Sequence, residues 1–305
     1  MTKARKTIQV PSSTTNLGAG FDALGLALQL YLRVEIEESP GPDSSFTLYG
    51  EGAADLPANA ENLLAKVMLR VFERERKTPP PLRFRIFNQI PIARGLGSSA
   101  AAIVAGIGCF EAVTGQELPA EKFFRYAFEF ENHPDNITAA RYGGFTVSCV
   151  GTDGQVTFSR SPMPDPLGIL LTVPEFHLQT EKARAAIPKE LTLQDAVFNI
   201  QRSALTVAAL LRKEFSLLRE SLRDKVHQPY RASLIPGLSE ILVLNEEHVP
   251  GLIAVCLSGA GPSVLSFAES NFDGIYGRIA QIFKRHGIDC RRFDLQVDNQ
   301  GRMIS

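Results

Sequence analysis

Short segments of alternating or uniformly apolar residues predict strands in the first half of the chain. They cover residues 7–10, 31–37, 46–49, 82–87 and 145–150. A period of two residues is typical of a strand that buries one face. In residues 82–87 the alternation is between apolar and basic side chains, which predicts a half-buried strand.

Apolar residues at helical spacing predict helices between these strands. Residues 62–77 carry such a pattern and end at three consecutive prolines, which cannot continue a helix. The alanine-rich run 100–107 also predicts a helix, as do residues 119–130 and 136–142. Residues 12–28 predict a polar turn that leads into small and apolar residues, because three glycines argue against a regular helix there.

A proline-rich linker divides this pattern into two parts. Residues 161–166 hold three prolines, so we place a domain boundary there, between residues 1–163 and 164–305. In the second part, Thr180 would cap a helix, and a glycine-rich turn at 258–263 is either a hairpin or a close approach to a ligand or to another loop. The further elements predicted there are residues 168–173, 180–184, 193–222, 252–257, 264–267, 272–286 and 292–297. Both parts mix helices and strands, so the fold class is α+β.

Length and composition are those of a globular protein. The chain has 305 residues, 44% of them hydrophobic, and a formal net charge of −1. This balance gives no reason to expect a nucleic acid partner, and no apolar run is long enough to cross a membrane. No apolar segment of a signal peptide follows the basic first residues, so we expect a cytoplasmic protein. The four cysteines form no CxxC pair, and three in apolar surroundings are expected to be buried thiols.

Residues 91–101 are the strongest candidate for a binding loop. They connect a predicted strand to a predicted helix, with Gly95 and Gly97 in the turn and Ser98 and Ser99 at the helix start. Backbone N–H groups at a helix N-terminus can hold an anion, and glycines let the main chain approach it. The serines would either cap the helix or place hydroxyls on a phosphate or metal. The alternative is an ordinary serine-capped helix, and no lysine follows as in the GxxxxGKS phosphate loop.

Isolated polar residues at other predicted turns are further candidates. Asn16 and Asp22 stand in a small and apolar stretch, either as turn-stabilising residues or as the polar wall of a pocket. Residues 129–136 gather carboxylates, an imidazole and amides at one turn, which favours a site over a purely structural role. Arg184 and Arg231, taken alone, would be ordinary solvated charges.

Three segments together resemble the sequence motifs of the GHMP small-molecule kinases. In the order and spacing of that family, they are residues 11–28, 91–102 and 257–267. The segments that resemble the members acting on L-homoserine are residues 12–22, 133–136, 180–184 and 230–237. The resemblance implies the two-domain GHMP kinase fold, with an N-terminal ribosomal protein S5 domain 2-like part and a C-terminal ferredoxin-like part. It also implies ATP-dependent phosphorylation of the L-homoserine hydroxyl, on the route to threonine.

The resemblance assigns the binding loop to ATP and the nearby oxygen ligands to Mg²⁺. Asn62 would border the nucleotide, and the loop residues expected to contact it are Pro91, Ile92, Ala93, Arg94, Gly95, Leu96, Gly97, Ser98, Ser99, Ala100 and Ala101. Because Mg²⁺ prefers hard oxygen ligands, Ser99 and Glu131 match the family's metal ligands. Glu129 is the alternative carboxylate, since the connection from there to His133 is short.

The resemblance also assigns residues to the zwitterionic substrate. Arg184 and Arg231 would bind its carboxylate, and Asp22 its ammonium group. The full substrate-binding set is Asn16, Asp22, His133, Asn136, Thr180, Arg184 and Arg231, of which Asn16, Asn136 and Arg231 would act at the reacting groups.

A dedicated general base is not expected. Mevalonate kinase, in the same superfamily, uses an aspartate with a lysine, but no lysine lies near Asn16, and Asp22 is assigned to the ammonium group. Phosphoryl transfer passes through a loose transition state, so positioning and charge neutralisation can carry most of the rate. Because the loop has no lysine, Mg²⁺ is expected to neutralise the triphosphate.

Two other functions stay open for this sequence. One is a GHMP kinase that acts on a different small alcohol, and the other is a nucleotide-binding relative without catalysis. The expected partners are L-homoserine and ATP, and a homodimer is left open.

Overall fold

The computed structural model describes residues 5–163 and 167–305. In these ranges the strands are β1 (Lys6–Thr15), β2 (Leu24–Glu38), β3 (Ser45–Gly50), β4 (Leu82–Asn88), β5 (Phe145–Val150), β6 (Val156–Ser161), β7 (Gly168–Pro174), β8 (Leu252–Leu257), β9 (Val264–Ala268), β10 (Cys290–Leu295) and β11 (Met303–Ile304). The helices are α1 (Leu63–Arg74), α2 (Ser98–Thr114), α3 (Ala120–Ala127), α4 (Pro134–Tyr142), α5 (Thr180–Ala185), α6 (Leu193–Arg212), α7 (Leu218–Ser221), α8 (Gln228–Arg231), α9 (Leu238–Ile241) and α10 (Phe272–Arg285). No helix in the described ranges is long and apolar enough to span a membrane.

The first sheet is built mainly from strands that precede residue 163. Its order is β11-β1-β2-β4-β3, and β5 pairs with the start of β2 and with β6. β3 and β4 are parallel, whereas β1 and β2 are antiparallel with a register shift between Pro11 and Ser12. Beyond this irregularity the four polar residues from Ser12 to Thr15 are buried. The polar end of β1 thus enters the interior.

The second sheet is built from strands that follow residue 167. Its order is β10-β7-β9-β8, and all its neighbours are antiparallel. β8 and β9 form a hairpin around the glycine-rich turn 258–263, which confirms the hairpin expectation. α10 buries Ile275, Ile279 and Phe283 in the core of this part. The two parts together have the predicted α+β architecture.

The end of the chain returns to the first sheet. β11 pairs with β1, and Thr7 and Ser305 exchange backbone hydrogen bonds of 2.7 and 2.9 Å. Arg302 forms a buried ion pair with Glu111 of α2. The predicted domain boundary stays a prediction. It falls between the two sets of strands, and Pro164, Asp165 and Pro166 of the linker lie outside the described residues.

Some local predictions are wrong. Residues 12–15 are strand rather than turn, because they pair with residues 25–28 of β2. Thr180 is the first residue of α5 and not its cap, since Gln179 occupies the N-cap position. β6 and β11 were not predicted, because β6 is mostly polar and exposed and β11 has only two residues. All four cysteines are free. Cys109 and Cys256 are buried as expected, but a third buried thiol is not found, since Cys149 is exposed and Cys290 is only partly buried.

Candidate active site

A cavity of about 130 Å³ lies where the two sheets and four helices meet. Its walls are the end of β1, the loop before α2, the first turns of α2 and α4, the helices α5 and α8, and the β8–β9 turn. The lining residues are Thr15, Asn16, Asp22, Pro91, Ala93, Arg94, Gly95, Leu96, Gly97, Ser98, Ser99, Ala100, Glu131, His133, Asp135, Asn136, Thr180, Arg184, Arg231, Gly259 and Ala260. The fold therefore brings the separate candidate turns to one place.

Two glycines let the loop before α2 pack against neighbouring backbone. Gly95 has φ +72°, and a Cβ there would lie 2.1 Å from the carbonyl oxygen of Ser258. Gly97 has φ +68°, and a Cβ there would lie 2.1 Å from Oγ of Ser13. Side chains rarely tolerate either this backbone conformation or such contacts. The loop is further fixed by the hydrogen bond from Ser13 N to Leu96 O (3.2 Å).

The start of α2 offers unpaired backbone donors at the cavity. The helix begins at Ser98, and its N-cap is Gly97, so the prediction that a serine caps it is wrong. The first intrahelical hydrogen bond runs from Ala101 N to Gly97 O (2.8 Å). The N–H groups of Ser98, Ser99 and Ala100 therefore have no acceptor within the helix. Together with the helix dipole, they favour an anion at this position.

Asn16 fixes the turn that follows β1. It is buried, with φ +69°. Its Oδ1 accepts a hydrogen bond from Asp22 N (3.0 Å), and its Nδ2 donates to Gly259 O (2.9 Å). Asn16 therefore stabilises the turn and also lines the cavity, so both expectations for this residue hold.

Asp22 and Arg184 form an ion pair in the cavity wall. Nη2 of Arg184 donates to both carboxylate oxygens of Asp22, at 2.7 and 3.0 Å. The guanidinium carbon lies 5.1 Å from the ring centre of Phe21, a cation–π contact. The buried Nε of Arg184 has no hydrogen-bond partner among the described residues. Two side chains predicted to bind opposite ends of one substrate are thus in direct contact.

His133 and Glu131 form a second pair beside the first. Oε1 of Glu131 lies 2.7 Å from Nδ1 of His133, and Nε2 of His133 lies 3.9 Å from Oδ2 of Asp22. The hydrogen bond to Glu131 raises the pKa of His133, burial opposes this change, and Asp22 adds to the rise. The cavity therefore favours the protonated imidazole more than water does.

Glu129, the alternative metal carboxylate, is engaged elsewhere. It does not line the cavity, and its two oxygens accept from Nε of Arg70 (2.5 Å) and Nε of Arg74 (2.8 Å) in α1. Although burial raises its pKa, the hydrogen bonds from Arg74 and Arg70 lower the pKa of Glu129 overall. Glu131 is the member of the pair that lines the cavity. The described ranges contain no group of three or more His, Cys, Asp or Glu side chains placed to hold a metal.

Asp135 and Asn136 connect the start of α4 to β1. Oδ1 of Asp135 accepts from Asn136 N (2.7 Å), and burial, followed by the charge of Asp22, raises the pKa of Asp135 to about 6. The side chain of Asn136 accepts from Oγ of Ser13 (2.8 Å) and donates to Oγ1 of Thr15 (3.2 Å). These contacts fix the orientation of both side chains at the cavity.

Arg231 reaches the cavity from a buried position. It is 1% exposed, and its Nε donates to Ala183 O (3.3 Å). Its Nη1 donates to Gly259 O (3.0 Å) and to Nδ1 of His227 (3.0 Å), while Nη2 has no hydrogen bond within the described residues. Burial, followed by the charge of Arg184, lowers the pKa of Arg231 to about 10, so the side chain stays charged at neutral pH. The expectation of a solvated charge is therefore wrong for Arg231, whereas the side chain of Arg184 is 38% exposed and paired with Asp22.

Three of the predicted residues lie outside the cavity lining. Asn62 is the N-cap of α1, where its side chain accepts from Leu64 N (3.1 Å) and donates to Pro57 O (3.0 Å). Ile92 and Ala101 are also absent from the lining. Their contacts with a nucleotide stay predictions.

Four lining residues were not assigned to the site from the sequence. Asp135 lies in the polar cluster 129–136, and Gly259 and Ala260 lie in the glycine-rich turn, so a signal was present for these three. Thr15 lies within the motif 12–22, but it was not assigned to the site because residues 12–15 were interpreted as a turn.

Comparison with known proteins gives matches along the whole chain. The family model described as GHMP kinases N terminal domain matches residues 62–144. A homoserine kinase of Aquifex aeolicus (strain VF5) is 43% identical, over 96% of this chain and 97% of the relative. One of Solibacter usitatus (strain Ellin6076) is 39% identical, over 96% and 95%. The crystal structure of homoserine kinase from Cytophaga hutchinsonii ATCC 33406 superimposes with a TM-score of 0.85 at 26% identity, covering 99% of this chain and 98% of that one.

The Cytophaga hutchinsonii structure has the fold of this protein, and the two sequence relatives exceed one third identity over almost the full length of both chains. The chain belongs to the homoserine kinase family of the GHMP kinases.

Proposed function

We propose that this protein transfers the γ-phosphoryl group of ATP to the side-chain hydroxyl of L-homoserine, giving O-phospho-L-homoserine for threonine biosynthesis. One observation carries the proposal: a single cavity contains both a helix N-terminus with unpaired N–H groups and the opposite charges of Asp22 and Arg184. The first feature suits a phosphate, and the second suits a zwitterionic amino acid. The names of the relatives support the same substrate.

Arg184 and Arg231 would bind the carboxylate of homoserine, and Asp22 its ammonium group. Nε of Arg184 and Nη2 of Arg231 are donors without a protein acceptor in the described structure, and both residues line the cavity. A carboxylate placed there would supply the missing acceptors. The substrate would then replace the hydrogen bonds that Asp22 and Arg184 make to each other.

The remaining substrate contacts would orient the reacting hydroxyl. Asn16 and Asn136 line the cavity with orientations fixed by hydrogen bonds to the β8–β9 turn and to β1. His133, with its raised pKa, and Thr180 supply further donors at the cavity.

The residues at the start of α2 fit a magnesium nucleotide. The unpaired N–H groups suit the triphosphate, and Arg94 lines the cavity as a cation of the same loop. Ser99 and Glu131 offer the hydroxyl and carboxylate oxygens that Mg²⁺ prefers, and would hold it with few protein ligands. When bound, Mg²⁺ neutralises charge on the phosphates.

No side chain is assigned as a dedicated base. Asp135 is the buried carboxylate in the cavity wall, but its Oδ1 already accepts from Asn136 N, and we assign it to holding the start of α4. Asn16, Asn136 and Arg231 would act by positioning the hydroxyl and the amino-acid head for in-line transfer.

The quaternary state and location are also proposals. α6 exposes the large apolar side chains of Leu193, Val197, Ile200 and Leu211 along its length, and this surface would suit a second copy of the chain. We place the enzyme in the cytoplasm.

The proposed function is tested by incubating the purified protein with ATP, Mg²⁺ and L-homoserine. The expected result is homoserine-dependent release of ADP and a product whose mass is that of O-phosphohomoserine. ATP binding without any phosphoryl transfer would instead support a non-catalytic relative.

A further inference from the structure

His227 is buried behind the cavity and uses both of its ring nitrogens. Nε2 lies 2.8 Å from the carbonyl oxygen of Gly18, and Nδ1 lies 3.0 Å from Nη1 of Arg231. Arginine has only donors, so Nδ1 must accept, and the ring hydrogen must be on Nε2, where it is donated to Gly18. The contacts therefore define one neutral tautomer of His227.

The surroundings of the ring hold it in place. Asp224 accepts hydrogen bonds from the backbone nitrogens of Val226, His227 and Gln228, at 2.9, 2.9 and 2.6 Å. The ring of Phe21 stacks on that of His227, with centres 5.3 Å apart and an interplanar angle of 24°. His227 thus joins the turn after β1 to the short helix α8, which carries Arg231.

We propose that His227 is a positioning residue, which holds the guanidinium of Arg231 so that Nη2 is directed to the carboxylate of the amino-acid substrate. This inference rests on the proposed function. Nη1 is shared between His227 and Gly259 O, and Nε is held by Ala183 O, so Nη2 is the nitrogen free for a ligand. His227 lies outside the motifs found in the sequence and does not line the cavity.

The charges that face the ring are compatible with a neutral imidazole. Burial lowers the pKa of His227, and the charge of Arg231 lowers it further. The carboxylate of Asp224 opposes this change, since its Oδ2 lies 3.6 Å from Nε2 of His227. Asp22, in the turn after β1, raises the pKa less. A second ring hydrogen would point at the Arg231 guanidinium, so protonation would remove the contact that positions it.

Two substitutions separate the two nitrogens. In His227→Asn the amide oxygen can replace Nδ1 as acceptor for Arg231, and the bond to Gly18 is lost. In His227→Gln the amide nitrogen can replace Nε2 as donor to Gly18, and the acceptor for Arg231 is lost. Each variant loses one buried hydrogen bond, so their melting temperatures should fall by similar amounts.

We expect the two variants to differ in their KM for homoserine and to change the KM for ATP only slightly. His227→Gln should raise the KM for homoserine about tenfold or more, and His227→Asn about threefold, with the KM for ATP changed less than about twofold in both. The exposed His286→Gln serves as the unchanged control. A purely structural role predicts the same change for both variants in both constants, and that result would overturn the proposal.

Nitrogen NMR of the histidine rings gives a readout that needs no substrate. In the wild-type protein, His227 should remain the neutral Nε2–H tautomer from about pH 8 down to about pH 5.5. Arg231→Lys should shift the Nδ1 signal. A ring that carries hydrogen on Nδ1, or titrates near its ordinary pKa, would overturn the inference even if the variants do not fold. Failure of the wild type to phosphorylate homoserine would contradict the proposed function without affecting this measurement.

Discussion

Asp22 and Arg184 are 162 positions apart in the chain, yet they share two hydrogen bonds at the cavity. A ligand with one charge would leave one member of this pair without a partner, which is costly where water is partly excluded. A zwitterion can supply partners for both. The pair therefore favours an amino acid over an uncharged or singly charged alcohol.

Arg184→Ala should weaken homoserine binding by roughly 2–4 kcal/mol, because it removes one of the two guanidinium groups proposed to bind the substrate carboxylate. The KM for ATP should be nearly unchanged. Steady-state kinetics with each substrate varied in turn would measure both effects. Arg212→Ala is a matched control, since Arg212 is exposed and pairs with Glu214 away from the cavity. Equal losses for the two substrates would contradict the assignment.

Asp135→Asn tests the cost of a buried carboxylate. The pKa of Asp135 rises from 3.8 to about 6 on folding, so the folded protein binds this proton more tightly than the unfolded chain does. The stability gained in this way is fully present below about pH 4 and is lost as the pH rises through about 6. The neutral variant avoids that loss. The free energy of unfolding of the variant minus that of the wild type should therefore be about 1 kcal/mol larger at about pH 7 than at about pH 5. Urea denaturation at both values measures this, and the exposed Asp55→Asn should show no such trend.

The same variant tests the absence of a dedicated base. If positioning carries the rate, Asp135→Asn should lower kcat by far less than about 10⁴-fold. A loss of that size with both KM values unchanged would identify Asp135 as the base.

At the scale of elements, the start of α2 is placed by backbone conformation. Gly97 and Gly115 cap the two ends of this helix, and both have φ +68°. A Cβ at Gly97 would collide with Ser13, whereas a Cβ at Gly115 has no atom within 4 Å. The two positions thus share the same backbone strain and differ in what they contact.

Gly97→Ala should raise the KM for ATP by about tenfold or more, because the first turn of α2 must move to relieve the contact with Ser13. Gly115→Ala should cost about 1 kcal/mol of stability from its left-handed φ and leave the KM for ATP unchanged. Thermal denaturation and ATP kinetics of both variants make the comparison. A similar KM for ATP in the two variants would argue against an anion site at this helix start.

The sequence predicts elements well where a pattern is local. The alternation in residues 82–87 and the helical spacing in 62–77 correspond to β4 and α1. It predicts Ser12 to Thr15 wrongly, because these polar residues are buried only through pairing with β2 and contact with the distant β8–β9 turn. At the site, too, contacts between residues that are distant in the sequence could not be predicted. The resemblance selected Arg184 and Asp22, but their direct contact depends on how the two parts of the chain pack.

At the scale of the whole molecule, the cavity requires both parts of the chain. The first part supplies the anion site and Asp22, and the second supplies Arg184, Arg231 and the β8–β9 turn. β11 and the Arg302–Glu111 pair connect the last residues to the first sheet. The proposed substrate and nucleotide sites therefore share one cavity, which both parts of the chain line.

The exposed face of α6 predicts self-association. Ile200 is 67% exposed on this face, and Val243, in the turn after α9, is also 67% exposed. Ile200→Glu should convert a dimer to a monomer, because a charge would be buried at the interface, whereas Val243→Glu should not. Light scattering after size exclusion measures the mass, and a monomeric wild type would contradict the homodimer.

Selection of homoserine as the phosphoryl acceptor is the property that the paired charges of the cavity predict. The most direct test is a competition between L-homoserine, serine, mevalonate and shikimate with saturating ATP and Mg²⁺, in which kcat/KM is determined for each acceptor. We predict a value for homoserine at least about 100-fold above each of the others. An equal or higher kcat/KM for any other acceptor would show that the cavity does not select homoserine.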